Sequence, residues 1–166
     1  MTDSEKRSGE IALPFDPAMT AHDSTVVFIG RIRSPWKTRA ECPKNLRQAR
    51  ERSQTASVEI DEAWRAGLLG LQEHSHAILL YWMHEARRDL IVQKPRHRPE
   101  TTGVFALRSP VRPNPIALAG VRILGIAPKA GRITIDAIDC LDGTPLLDIK
   151  PWLESVDGQF PEASAV

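Results

Sequence analysis

Residues Ile133 to Trp152 read ITIDAIDCLDGTPLLDIKPW, and this stretch decides the fold. Ile133, Ile135 and Ala137 alternate with polar Thr134 and Asp136, and Leu147 and Ile149 alternate with Asp148 and Lys150. A period of two marks a half-buried strand. Between the two runs, the Asp142-Gly143 pair tolerates positive φ, so the segment is predicted to be a β-hairpin with carboxylates at its tip. The alternation slips at Ala137 to Ile138, where a bulge is expected. Asp139, Asp142, Asp148 and Lys150 exceed what solubility of a hairpin requires, although half-exposed antiparallel sheets also carry charges on their wet face.

Upstream, Gly103 to Asn114 reads GVFALRSPVRPN. Pro113 and Pro115 fix their own φ and push Arg112 and Asn114 into extended conformations, so those two side chains are expected to project to one side, with Arg108 joining them if the extended path reaches it. Such a cluster suits an anionic or polar ligand; an ordinary surface loop stiffened by prolines is the alternative.

Elsewhere the pattern also favours strands. Val26 to Arg33 is a short apolar strand, and His76 to His84 (HAILLYWMH) is predicted to be a strand covered on both faces. Ile60, Trp64, Leu68 and Leu71 recur at helical spacing, which predicts one amphipathic helix weakened by Gly67 and Gly70. Thr102 to Leu107 and Ile116 to Ile126 supply further strands, with Gly120, Gly125, Pro128 and Gly131 as breakers. No GxGxxG motif is present, which disfavours a doubly wound nucleotide-binding sheet.

At 166 residues, 42% hydrophobic and 26% charged, the chain fits one globular domain, residues 24–166, preceded by a polar, proline-broken tail over residues 1–23. No signal-like or membrane-length apolar run occurs, so a cytoplasmic protein is expected. Cys42 and Cys140 lack CxxC spacing, and His74 and His76 lack a third ligand at convincing spacing, so no disulfide framework and no metal are expected. Net charge is only +1, but its distribution is uneven. Arg31 to Arg52 holds eight basic residues against two glutamates, and Arg87 to Arg112 holds seven against Asp89 and Glu100. Thr134 to Val166 holds seven acids against Lys150. The basic stretches could track phosphates around a carboxylate-lined pocket, or the opposite signs could pair with each other across the fold.

Gly103 to Pro110 (GVFALRSP), Arg112 to Pro115 (RPNP) and Leu141 to Pro151 (LDGTPLLDIKP) together resemble the TsaA-like methyltransferase family, the TrmO group. Ile29 to Lys37 (IGRIRSPWK) and Gly67 to His76 (GLLGLQEHSH) resemble its opening elements, in the right order. The resemblance implies a mainly β, single-domain, barrel-like fold with one or two short helices, binding of S-adenosylmethionine without a Rossmann domain, and a homodimer with the cofactor pocket near the subunit interface. It also implies methylation of N6 of threonylcarbamoyladenosine beside the anticodon of tRNA. The family's cofactor contacts fall on Pro43, Lys44 and Asn45; on His84 and Glu85; on Arg108; on Leu141, Asp142, Gly143 and Thr144; and on Leu118. Lys44-Asn45 stands where the family has Arg-Gln, and Glu85 where it has Gln, which exchanges a neutral donor and acceptor for an acceptor-only anion.

Methyl transfer from a sulfonium is an in-line displacement in which alignment contributes most, and the accepting nitrogen's acidic hydrogen makes a general base plausible. Asp142 or Asp139 is the candidate base, and Arg112, Asn114, Asp148 and Lys150 are the candidates for substrate binding. A methyltransferase of the same fold with another substrate, and a non-catalytic S-adenosylmethionine-binding regulator, stay open as alternatives. The chain stops soon after Trp152, so the extra C-terminal domain of some family members is expected to be absent.

Overall fold

The computed structural model describes residues 7–15, 19, 25–96 and 99–160. In chain order the strands are β1 (Ile11–Ala12), β2 (Gly30–Arg33), β3 (Ala56–Ile60), β4 (His76–Trp82), β5 (Leu90–Gln93), β6 (Thr102–Gly103), β7 (Ile116–Ala127), β8 (Arg132–Ile135) and β9 (Pro145–Pro151). Two short helices, α1 (Leu46–Glu51) and α2 (Glu154–Asp157), join four 3₁₀ turns among the described residues, so the fold is mainly β as expected. The stretch from residue 24 onward divides into two compact units.

Unit 1 comprises Met1–Thr25 and Met83–Ile116. Its sheet has the order β1-β5-β6, with antiparallel pairs Ile11 to Val92 and Val92 to Gly103. The segment expected to be a loose tail thus contains a paired strand. Leu13 N donates to Asp89 O at 2.7 Å, and Arg7 reaches Lys94 O at 2.7 Å. The tail's remaining residues 1–6, 16–18 and 20–23 lie outside the described residues.

Unit 2 comprises Val26–Trp82 and Ala117–Val166. Its strands close into a barrel in the order β2-β3-β8-β7-β4-β9. Closure removes sheet edges, and inward residues alternate with outward ones along each strand. Ile32, Val58, Ile60, Leu79, Tyr81, Val121, Ile133, Ile135 and Leu146 fill the interior. At the closing seam Gly30 faces both Ile60 and Leu146. A Cβ built there would lie 2.0 Å from Glu59 O, so only glycine permits that approach. Strand β4 alternates buried Ala77, Leu79 and Tyr81 with half-buried residues rather than being covered equally on both faces.

The predicted hairpin does not form. Strand β8 pairs with β3 and β7, whereas β9 pairs with β2 and β4. Residues 136–144 between them are too many for a tight turn, and Ala137, Ile138 and Cys140 are buried. Asp142 N donates to Trp36 O at 2.8 Å and Gly143 N to Ile32 O at 2.9 Å, which carries the chain onto β2 instead of back onto β8. Gly143 has φ +79°, the conformation the Asp-Gly pair was expected to supply.

Other boundaries moved for local reasons. The predicted helix over Ile60 to Leu71 is the end of β3 followed by 3₁₀ turns at Glu62–Leu68 and Leu71–Glu73, broken by Gly70 at φ +87°. Of the first predicted strand Gly30–Arg33 is regular strand, and of the run to Leu107 only Thr102–Gly103, since Val104–Ala106 is a 3₁₀ turn.

Candidate functional site

Asp142 sits in a turn that the sequence ties down from several sides. Its Oδ1 accepts from Ser34 N at 3.1 Å, and its Oδ2 lies 2.7 Å from Lys37 Nζ and 3.9 Å from an Arg33 guanidinium nitrogen. Partial burial pushes this carboxyl upward, but the Lys37 hydrogen bond, the Ser34 amide and the Arg33 charge outweigh it and hold the pKa below the ordinary value. Ser34 Oγ donates to Cys140 O at 2.8 Å, and Trp36 Nε1 to Ile138 O at 2.8 Å. The segment after β2 and the segment before β9 are therefore stitched side by side.

Asp139 lies in the same segment with a different partner set. Tyr81 donates its hydroxyl to Asp139 Oδ1 at 3.0 Å, and Cys42 Sγ donates to Asp139 O at 3.3 Å. Of the two candidate bases, Asp142 is latched by cations and Asp139 is oriented by a phenol. A carboxylate ion-paired to lysine and arginine is a poor proton acceptor, which counts against Asp142 as the base.

The Pro43-Lys44-Asn45 segment leads into α1. Asn45 Oδ1 accepts from Gln48 N at 2.9 Å, while Gln48 Oε1 accepts from Lys44 N at 3.0 Å, a reciprocal cap. The Asn45 to Gln48 spacing is a helix-start signal legible in the sequence. Arg50 of α1 bonds Asp136 at 2.8 Å and Gly120 O at 2.9 Å, which fixes the helix against β7. Leu118 is two residues along that strand from Gly120 and so on the same face, 47% exposed. Pro43 and Thr144 are buried; the Thr144 hydroxyl bonds Leu141 O at 2.7 Å. Thr144 therefore shapes the turn from inside, and Leu141, Asp142 and Gly143 present its accessible side. A Cβ on Gly143 would meet nothing within 4 Å, so open space stands over the turn.

In unit 1 the arginine-proline run folds on itself. Arg112 donates to Val104 O at 2.6 Å and to Leu107 O, Gln93 donates to Val111 O, and Arg88 donates to Pro113 O at 2.6 Å. Asn114 Oδ1 lies 3.4 Å from an Arg88 nitrogen. The sequence placed Arg112 and Asn114 on a substrate. Instead Arg112 stitches the carbonyls of its own loop, because a bend of this kind leaves backbone acceptors that the planar guanidinium reaches. Arg108 is exposed, as are His84 and Glu85, whose side chains approach to 3.9 Å.

Asp148 and Lys150 form the expected pair at 2.8 Å. Asp148 lines a hollow of about 470 Å³ in unit 2 with Trp64, Leu69 and His74, a lining that does not include Asp139 or Asp142. Among the described residues no group of three or more His, Cys, Asp or Glu side chains is set to hold a metal, and no helix is long and apolar enough to cross a membrane.

Residues 31–158 match the family described as tRNA-methyltransferase O N-terminal domain. This chain belongs to the TrmO family. A probable S-adenosyl-L-methionine-binding protein, VirR, of Rhizobium radiobacter is 43% identical over 129 residues, covering 78% of this chain and 71% of the relative. A tRNA (adenine(37)-N6)-methyltransferase of Mus musculus is 39% identical over 93 residues, covering 54% of this chain and 21% of that one. The crystal structure of TrmO from Pseudomonas aeruginosa superposes with a TM-score of 0.62 at 31% identity, covering 86% of this chain. This chain spans 60% of that TrmO chain.

Proposed function

We propose that this TrmO-family chain is an S-adenosylmethionine-dependent methyltransferase acting on N6 of threonylcarbamoyladenosine beside the anticodon of tRNA. The observation that carries the reading is the Leu141–Gly143 turn, latched by Lys37 and Ser34 under open space, with the phenol-oriented carboxylate of Asp139 in the same segment.

The donor set fits the cofactor. Asp142 and the backbone of its turn offer acceptors for hydroxyl and ammonium groups, and half-exposed Leu118 offers an apolar face for a purine. His84, Glu85 and Arg108 keep their places as cofactor candidates on the family resemblance. When bound, S-adenosylmethionine supplies an electrophilic methyl group. The chain's own residues align and deprotonate. Asp139, held by Tyr81, takes the proton from the accepting nitrogen, and the Asp142 latch keeps the turn from moving during the displacement.

The protein is further proposed to be cytoplasmic and dimeric. Phe105, 92% exposed on the 3₁₀ turn of unit 1, is an apolar side chain that a second copy would cover.

Isothermal titration with S-adenosylmethionine, paired with mass spectrometry of tRNA nucleosides from a deletion strain, tests the reading. Binding together with loss of the methylated nucleoside is expected. No binding, or an unchanged nucleoside profile, rejects the cofactor or the substrate respectively.

A further inference from the structure

The basic run from Arg31 to Arg52, which spans the end of β2 and the segment before β3, holds eight cations, and the fold accounts for only some of them. Arg33 is on Glu59 at 2.7 Å, Lys37 on Asp142 at 2.7 Å and Arg50 on Asp136 at 2.8 Å. Arg52 bonds Glu41 O and lies 5.0 Å from the centre of the Trp36 ring. Arg39 and Arg47 differ. Among the described residues Arg39 has no carboxylate at ion-pair distance. Among the described residues Arg47 has Glu51 alone as a carboxylate partner, at 3.7 Å, with the two side chains 83% and 62% exposed. A pair that open, one helical turn apart, stabilises the helix little and is screened by salt.

The backbone that carries these two arginines is stiffly held. The Glu41 carboxylate accepts from Thr38 N at 2.9 Å, Thr38 Oγ1 at 3.0 Å and Lys37 N at 3.2 Å. The Cys42 thiol fastens the loop to the backbone of Asp139 at 3.3 Å, and the Asn45 cap fixes the start of the helix that bears Arg47. Exposed guanidiniums on a stapled loop tied to the candidate base are therefore presented to solvent in a defined place.

The surroundings narrow the partner. Among the described residues, no large apolar side chain of the run itself is exposed, so the segment offers charge without an apolar anchor of its own. Protein interfaces are built around buried aromatic or aliphatic anchors, and membrane-surface helices around an inserted apolar face. Phosphodiester backbones need neither and match the planar fork of arginine.

We propose that Arg39 and Arg47 form a phosphate-gripping surface for the backbone of an RNA substrate whose reacting base is delivered to Asp139. This rests on the reading given under Proposed function and adds to it the place where RNA is held.

Fluorescence anisotropy of a labelled tRNA anticodon stem-loop, titrated with the full chain across a salt series, tests it. The Arg39→Glu/Arg47→Glu variant should bind at least about tenfold more weakly and flatten the slope of log affinity against log salt by about 1.4 to 1.8, the value for two lost phosphate contacts. Lys129→Glu/Arg132→Glu, which changes net charge equally at exposed positions outside the run, should bind as the native chain does. Equal weakening in both variants, or unchanged affinity in the first, overturns the proposal. Binding of heparin or anionic vesicles by the native chain as tightly as the stem-loop overturns the assignment to RNA. A native chain that fails to bind S-adenosylmethionine strikes the methyltransferase reading alone, because the RNA titrations decide the surface by themselves.

Discussion

The hydroxyl of Tyr81 donates to Asp139 Oδ1 at 3.0 Å across 58 residues of sequence, from a side chain only 3% exposed on the inner face of β4. Burial, and then the charge of Asp139, push the phenol well above the ordinary tyrosine range, so it remains a donor at any working pH. Tyr81→Phe keeps the ring and deletes only that donor. The variant should fold and bind S-adenosylmethionine as the native chain does, while kcat on tRNA falls about tenfold, part of what a well-placed base contributes. Steady-state kinetics separates the cases: an unchanged kcat removes Tyr81 from the mechanism, and a raised KM for the cofactor with kcat intact moves it to binding.

Asp142 makes the opposite prediction. Its folded pKa is depressed, so the stability it contributes is fully present above the unfolded carboxyl value and is lost as pH falls through the folded one. Asp142→Asn should therefore destabilise the protein at pH 7 and lose that effect in strong acid, where the native carboxyl is also protonated. Because the Lys37 and Arg33 side chains that hold the half-buried carboxylate are themselves exposed to solvent, the difference should be modest. Urea unfolding of both proteins at neutral and acid pH measures it, and a gap that persists into acid would show that the Lys37 and Ser34 contacts are not its source.

What the sequence disclosed and what it withheld divide along a physical line. Alternation identified β8 and β9 as strands, because which side of a strand is buried is written locally in every second residue, while apolar runs bounded by breakers identified β4 and β7. The partner of a strand is not written locally. The Ile133 to Trp152 run therefore suggested a hairpin, whereas β8 and β9 each pair elsewhere and the nine residues between them bury Ala137, Ile138 and Cys140 and carry the candidate site. Asp139 and Asp142 were identifiable as chemistry-bearing residues, but the assignment of one to a phenol and the other to cations depends on contacts across 58 and 105 residues. The partners of Arg112 were hidden for a related reason: the prolines predicted its backbone, and the carbonyls that its guanidinium bonds appear only once the loop has closed. The Asn45 to Gln48 cap, by contrast, was local and legible.

Cys42 stands beside the candidate cofactor segment, and its environment makes it inert. Burial, followed by the nearby charge of Asp139, pushes its thiol up to about 11 despite opposing help from Arg52 and Arg39. Cys140 is fully buried and pushed upward as well. Iodoacetamide at pH 8 should therefore modify the native chain far more slowly than the urea-unfolded chain, with the Cys42 rate rising only as pH approaches 11. Mass spectrometry of timed reactions follows this directly, and fast labelling of Cys42 at neutral pH would mean that its bond to Asp139 O is not kept in solution.

Arg112 carries the prediction that most separates a ligand-binding residue from a stitching one. Its guanidinium bonds Val104 O and Leu107 O on one 3₁₀ turn, and its Nε is buried. Arg112→Ala leaves those carbonyls without their charged donor and should cost about 2 kcal/mol of stability, in the range of hydrogen bonds to charged groups. Arg112→Lys should recover little, because one ammonium on a flexible stem cannot reproduce the planar fork. If the arginine instead served substrate, the alanine variant would melt normally and show a raised KM for tRNA. Thermal unfolding measured beside tRNA kinetics distinguishes the two, and the closed geometry of the loop predicts that the melting temperature moves first.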